Sequence, residues 1–377
     1  MSARPLTALT WEHPRGYGPP GALDALDRDG THAFALPDRM RWERQPLEGF
    51  ESTDLATLSD RYDALIIDHP HIADAVRDGA IVPLSSIFDG GTLRRLAGSF
   101  AGRSYESYSY ADEQWALPVD AATQVMATRP DTPTLDTWSG VASFASHGEV
   151  LLCVAGPHAL STLISVLVSR SVEVAARVEF APRDELVESL EFLRELRARS
   201  VDGLDHLNPI QALAHMASAP SVAVIPLVYG YVNFTGEGLR FREAPSWTVD
   251  GRRGAVLGGT GIAVTPRGRT NPAVRDHVRR MVDPTIQSTV VPRAGGQPSA
   301  RIAWEDALVD AAAEGFYSGT RQTLEQSWVR PRMLGWLPFY DTASATARAA
   351  IVGDLPVEDA AVSIRAAYRD LIRNTTR

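Results

Sequence analysis

Ala64-Leu65-Ile66-Ile67 is a continuous apolar run of strand length, stopped by Asp68-His69-Pro70-His71 before a helical stretch from Ile72 to Asp78. A run that is apolar at every position, with no alternation, fits a strand buried on both faces. Upstream, Leu6–Trp11 is short, apolar and β-prone. Pro14, Gly16 and Gly18 then predict a turn, and Ala22–Asp27 a brief helix. Ala33–Pro37 and Met40–Arg44 suggest a second extended segment, and Ser52 or Thr53 is the expected cap of a helix through Arg61. Strand, helix, strand, helix at this spacing predicts an α/β protein with a parallel sheet covered on both faces.

Downstream the alternation continues. Trp115–Thr128 reads as extended, Leu151–Val154 as a buried strand and Ala159–Arg170 as a helix. Asp184–Ser200 is the clearest helix: Leu186, Leu190, Leu193 and Leu196 keep three- and four-residue spacing, with Asp184 and Glu185 near its N-terminus. Ser221–Val228 and the glycine-rich Ala255–Val264 read as strands, and Asn271–Val282, Ala303–Glu314 and Val357–Arg373 as helices. With no repeat and no flexible linker, a chain of 377 residues fits two packed lobes of ~150–200 residues joined by short, ordered crossings.

Composition excludes several chemistries. Hydrophobic residues make up 44% and charged residues 22%, enough apolar surface for a sizeable core. The net charge of −9 disfavours nucleic acid and an anionic membrane surface as partners. All 37 basic residues are arginine. Without lysine there is no internal aldimine with pyridoxal phosphate, no P-loop lysine and no kinase strand lysine. Cys153 is the single cysteine, so neither an intramolecular disulfide nor a cysteine-rich zinc site can form. No cofactor is expected. G-x-S-x-G does not occur.

In a doubly wound sheet, ligands lie beyond the carboxyl ends of the strands. Two loops qualify: Trp11-Glu12-His13-Pro14-Arg15-Gly16-Tyr17 and Asp68-His69-Pro70-His71. If their strands are neighbours, Trp11, His13, Arg15, Tyr17, Asp68, His69 and His71 meet at one edge as a polar grip; alternatively, His13 and His69, each followed by proline, only shape turns. A metal site at His69 and His71 with His13 and Asp68 or Glu12 matches no strong ligand spacing, so none is assigned. Ser104–Tyr110 alternates hydroxyls with rings, which suits a sugar-like ligand through Tyr108 or, equally, an amphipathic edge strand. The same two readings apply to Tyr229 and Tyr231. Gly259 and Thr260, in Leu257-Gly-Gly-Thr-Gly261, could bring backbone N–H groups to an anion or hydroxyl, but the run does not fit a dinucleotide-binding glycine pattern.

These pieces, in this order, resemble the extracellular solute-binding proteins of ABC importers, sugar-type family 1. Trp115-Ala-Leu-Pro-Val-Asp-Ala-Ala-Thr-Gln124 resembles the first lobe-to-lobe crossing of that family. Thr134-Leu-Asp-Thr-Trp138 resembles its P-x-T-W element, with the proline displaced to 133. Gly258–Val264 with Asn271-Pro272 resembles its glycine-rich return strand, and Gly295-Gly-Gln-Pro298 the loop before its final helices. Trp328-Val-Arg-Pro-Arg332 joins the two loops above in resembling a narrower subgroup. The resemblance implies a type II periplasmic-binding-protein-like fold with a hinge and an inter-lobe ligand cleft. Lobe 1 would be 1–118 plus 256–302, and lobe 2 would be 119–255 plus 303–377.

It further implies a monomer that passes a sugar, polyol or small organic acid to ABC importer permease subunits and does no chemistry on it. Asp120, Gln124 and Gln297 join the expected ligand-binding residues, and no catalytic residue is assigned. The rival is an enzyme on the same scaffold, with His13, His69 or His71 as base and Arg15 orienting a carboxylate; a cytoplasmic ligand sensor is a third reading. The family acts in the periplasm or at the cell surface. The N-terminus shows no apolar core or cleavage pattern of a secretory signal, so either a leader has been removed or the sequence as written is that of a cytoplasmic protein.

Overall fold

The computed structural model describes residues 4–47, 50 and 54–375. The described strands are β1 Leu6–Trp11, β2 Met40–Gln45, β3 Ala64–Ile67, β4 Ser109–Tyr110, β5 Glu113–Gln114, β6 Ala116–Pro118, β7 Ala122–Thr128, β8 Val224–Tyr229, β9 Arg240–Arg242, β10 Leu257–Gly258 and β11 Gly261–Val264. The chain divides into two compact α/β units, Met1–Ala121 with Gly258–Ala312 and Ala122–Leu257 with Ala313–Arg377. It therefore passes between them three times. The crossings fall after Ala121, Leu257 and Ala312, each somewhat later than the sequence suggested. Asp120 remains with the first unit because its carboxylate and backbone are both bonded there.

The first unit is built on a five-stranded sheet of order β2-β1-β3-β11-β6. β1 runs parallel to β2 and β3, while β11 runs antiparallel to β3 and β6. Consequently β1, β3 and β6 end at the same edge, and β11 begins there. Gly261 is opposite Ile67 on one side and Pro118 on the other. All four residues of β3 are buried, as its unbroken apolar run requires.

The turn expected at Pro14–Gly18 is instead the start of a helix, Pro14–Asp29. His13 caps it, its Nδ1 accepting the Arg15 N–H at 3.2 Å, and proline at the first helical position brings a preset φ. Pro20 cannot donate to the Gly16 carbonyl, and Thr10 Oγ1 donates to that carbonyl at 3.0 Å. The glycines are there for space. A Cβ on Gly16 would sit 2.5 Å from the Trp11 ring, and one on Gly18 would sit 1.9 Å from the Ala294 carbonyl oxygen. Further along, Arg280 donates to the Asp27 carboxylate and to the Phe34 carbonyl at 2.8 Å, and the Leu36 N–H reaches Asp27 at 2.7 Å. His277 Nδ1 accepts from Arg280 and its Nε2–H donates to the Asp38 carbonyl at 2.6 Å. One buried knot thus ties the first helix, the loop before β2 and the helix Pro272–Met281.

Ser104–Tyr110 does not form the expected strand. Ser104–Ser107 is a single helical turn, and only Ser109 and Tyr110 pair, with β5. Ala111 and Asp112 adopt positive φ to close this hairpin. The helix after residue 53 is Leu55–Ser59, capped by Asp54; Ser52 and Thr53 lie outside the described residues.

In the second unit, β7 pairs antiparallel with β8 and β9, with Gln124 opposite Tyr229. Leu151–Val154 is not a strand: Val150 makes one parallel bridge to Val224. The helix His158–Ser169 is buried along its whole length, against Arg183–Ala198 and Trp336–Val352, on both of which Val357–Thr375 also packs. The stretch Ala255–Val264 is broken where Gly259 takes φ +96°.

Two glycines of the first helix should respond oppositely. Nothing lies within 4 Å of a Cβ added at exposed Gly21, so Gly21→Ala should stabilise by up to about 1 kcal/mol. Gly18→Ala should destabilise by about 2 kcal/mol or more, because backbone must move. Urea unfolding of both variants checks the pair, and equal effects would show the helix packs differently.

Candidate functional site

The shared edge of the first sheet gathers the loops singled out in the sequence. Trp11–Tyr17 follows β1, Asp68–His71 follows the neighbouring parallel strand β3, Val119–Asp120 follows β6, and Gly259–Thr260 leads into β11. The condition set for a common edge, adjacency of β1 and β3, is met.

Arg15 and Asp120 form the centre. The guanidinium grips the carboxylate with both arms, Nε to Oδ2 at 2.5 Å and Nη2 to Oδ1 at 2.6 Å. Both residues are buried, 6% and 5% exposed. Burial pushes the Asp120 carboxyl above its ordinary range, and Arg15 pulls it back. Asp120 is also fixed through its backbone, which exchanges hydrogen bonds with Thr260 at 3.2 Å in both directions.

His13 is stacked on Trp11, with ring centroids 5.2 Å apart and planes 8° from parallel. Burial, with the Arg15 charge, lowers its pKa to about 4, so the imidazole is neutral at pH 7. Arg44 lies 3.8 Å over the Tyr17 ring. Asp68 accepts the His69 N–H at 2.8 Å, and its Oδ1 is 3.1 Å from His69 Nδ1. His69 and His71 are both buried. Among the described residues, no three His, Cys, Asp or Glu side chains are placed to hold a metal ion.

Tyr108 is buried beneath this edge. Its hydroxyl is 3.3 Å from the carbonyls of Ile67 and Gly259, and its ring occupies the space where a Cβ on Gly261 would fall. Gln297 is buried, with Nε2 donating to the Ala121 carbonyl at 2.7 Å. Under the first helix lies a cavity of about 20 Å³ lined by Arg15, Pro19, Leu23, Asp120, Gln287 and Gln297, among others. That is room for roughly one water, far below the size of a sugar.

In the second unit, Gln124 accepts from Ser165 Oγ at 2.7 Å and from the Val256 N–H at 3.4 Å. Its amide oxygen is engaged inside the unit. Tyr229 and Tyr231 stand at the carboxyl end of β8, level with the first residues of β7. Beside Tyr229 is a residue the sequence reading passed over: His158, the first residue of its helix, whose ring meets Tyr229 edge-on at 5.9 Å. It was hidden in a run that reads as core; the available signal was Gly156-Pro157 opening that helix with no capping side chain.

No family model matches the chain, and neither does any curated protein. Solved structures do. The chain is similar to maltose-bound MalE3 of T. maritima, with a TM-score of 0.81 and 16% identity over 99% of this chain and all of that one. It is similar to a ribitol-bound ABC transporter solute-binding protein of Agrobacterium radiobacter K84, TM-score 0.77 and 14% identity over 98% of this chain and all of that one. A D-mannitol-bound solute-binding protein of Agrobacterium vitis S4 follows, at 0.73 and 16% over 99% of each chain. The fold is therefore that of the two-lobed periplasmic binding proteins, over nearly the whole length.

Two outcomes follow from the geometry. Arg15→Met should destabilise the protein by about 3–5 kcal/mol, since it strands a buried carboxylate, whereas Arg15→Met with Asp120→Leu should recover most of that loss. Chemical denaturation of the single and double variants measures it; equal losses would mean the pair does not act as a unit. The second outcome concerns pH. His13 and His158 both fall from 6.5 to about 4 on folding. The unfolded chain therefore binds more protons between these values, and stability should be lost as pH falls from about 6.5 toward 4. Melting temperatures across that range should show the decline, less steeply in His158→Gln.

Proposed function

We propose that this chain captures a small polar solute between its two units and delivers it to the permease of an ABC importer, without chemical change. The observation that carries the reading is the edge of the first sheet. Four loops converge there, bearing aromatic rings, imidazoles, carboxylates and an arginine, in a fold whose solved relatives were crystallised with sugars and polyols. The cavity under the first helix holds about a water, too little for a sugar.

Binding fits these side chains better than catalysis does. His13 is a helix cap stacked on Trp11 and neutral at pH 7, and Arg15 is clamped by Asp120. Such groups are preorganised to donate and accept hydrogen bonds. On this reading Trp11, His13, Tyr17, Asp68 and His71 form the first unit's wall, Tyr229 and Tyr231 that of the second, and Tyr108, Gln124 and Gln297 support them from behind. Transport places the protein outside the membrane, working as a monomer.

A solute bound at ~100 times its dissociation constant should stabilise the fold by ~2.7 kcal/mol. Thermal-shift screening with maltose, ribitol, D-mannitol, sugar acids and sugar phosphates should give at least one hit. Small-angle scattering with that solute should show a smaller radius of gyration as the units close on it. Folded protein that is silent across the screen would sink the receptor reading, and conversion of the hit to a product would replace it with an enzyme.

A further inference from the structure

The helix His158–Ser169 is electrostatically incomplete at its start. Pro157 occupies the N-cap position and gives no side-chain hydrogen bond, and the first turn holds no acidic residue. Some helices of the second unit meet this need, while Phe316–Gln326 and Trp336–Val352, like this one, do not. Thr137 caps Trp138–Phe144, Asn208 and Gln211 form a capping box on Pro209–Ser218, and Arg183–Ala198, though uncapped, carries Asp184 and Glu185 in its first turn. His158–Ser169 is twelve residues long and buried throughout, yet Ala155, Gly156 and Pro157 leading into it reach the surface. The N–H groups of Ala159 and Leu160 have no intrahelical acceptor, so the positive end of a buried dipole opens where the first turn supplies no negative charge.

A second feature stands at the same place. The His158 side chain is more than nine-tenths buried, and its ring makes no hydrogen bond to any described residue. Its one ring contact is the edge of Tyr229, at the sheet end where β8 finishes. Arg330, from the motif Trp328–Arg332, is near enough for its charge to act on this imidazole alongside burial. A neutral imidazole keeps one N–H to give. Two backbone donors and one imidazole donor thus serve the same corner, with the Arg330 charge acting on it, and all favour an oxyanion.

We propose that this corner of the second unit binds an acidic group, carboxylate or phosphate, carried by a hydroxylated solute. The inference rests on the receptor reading above and narrows it: the solute is a sugar acid or sugar phosphate, whereas the relatives named above hold maltose, ribitol and mannitol.

The test is calorimetric titration of the full chain with D-glucuronate, D-gluconate, glucose 6-phosphate and glycerol 3-phosphate, each against its neutral counterpart D-glucose, sorbitol or glycerol. An acidic probe should bind at least tenfold more tightly than its counterpart, and more weakly as salt is raised. His158→Ala and Arg330→Met should each weaken that probe by roughly ten- to a hundredfold while leaving the neutral one within about twofold. If His158→Ala does not fold, His158→Gln and Arg330→Met carry the test, with melting of the free protein as control. Neutral probes binding as tightly as acidic ones would overturn the acidic class and leave the receptor standing. Acid binding unmoved by these substitutions would overturn the site. Silence from every probe here, with a hit for maltose, ribitol or D-mannitol in the thermal-shift screen, would overturn the acidic class alone; silence in both would overturn both readings.

Discussion

Arg15 and Asp120 are 105 positions apart in sequence and meet almost wholly buried. Removing two charges from solvent is costly, and a bidentate geometry is what offsets it. The pair gains in definition what it does not gain in raw stability. It joins the helix after β1 to the segment after β6, and Asp120 then hands on to Thr260 before β11. Three of the four loops at the sheet edge are thereby set relative to one another. Had these side chains been mobile, every solute would have to order them first, at a cost of about 0.5–1.5 kcal/mol for each flexible side chain.

The same economy explains the aromatic stack. Trp11 stacks with both Phe50 and His13, and His13 closes the first turn of its helix. A residue that could have been a base is consumed as a cap and a stacking partner. Its lowered pKa follows from that placement and needs no catalytic purpose.

The architecture was legible wherever hydrophobic period and length agreed. β3 was readable because four buried positions in succession leave little choice, and Arg183–Ala198 because its leucines hold helical spacing. The first helix was not, since Gly16, Gly18, Pro19 and Pro20 all point locally to a turn. Contacts with Trp11 and Ala294, distant in sequence for the latter, override that preference. Ser104–Tyr110 misled for a related reason: alternation of rings and hydroxyls is a surface pattern, and here Tyr108 is core. At the site, the two loops of the first unit were visible as polar interruptions after apolar strands. That Arg15 would be matched to Asp120, and Gln124 to Ser165, was not, because a pairing partner across 105 or 41 residues leaves no local trace. His158 was missed because its neighbours are those of an ordinary buried helix.

The order β3-β11-β6 also has a consequence during synthesis. β11 sits between two strands made some 140 to 200 residues earlier, so the first unit's sheet has a gap until residue 264 has left the ribosome. By then all of the intervening stretch Ala122–Leu257 has emerged. For most of its translation the N-terminal segment therefore carries β3 and β6 with open flanks, able to pair with the wrong edge. The second unit is delayed in turn, because Trp336–Val352 and Val357–Thr375 complete its core last. The first unit can thus close once Ala312 is made, while the second still waits for its last helices, and a pause in translation before β11 is the interval in which this protein is most exposed to aggregation.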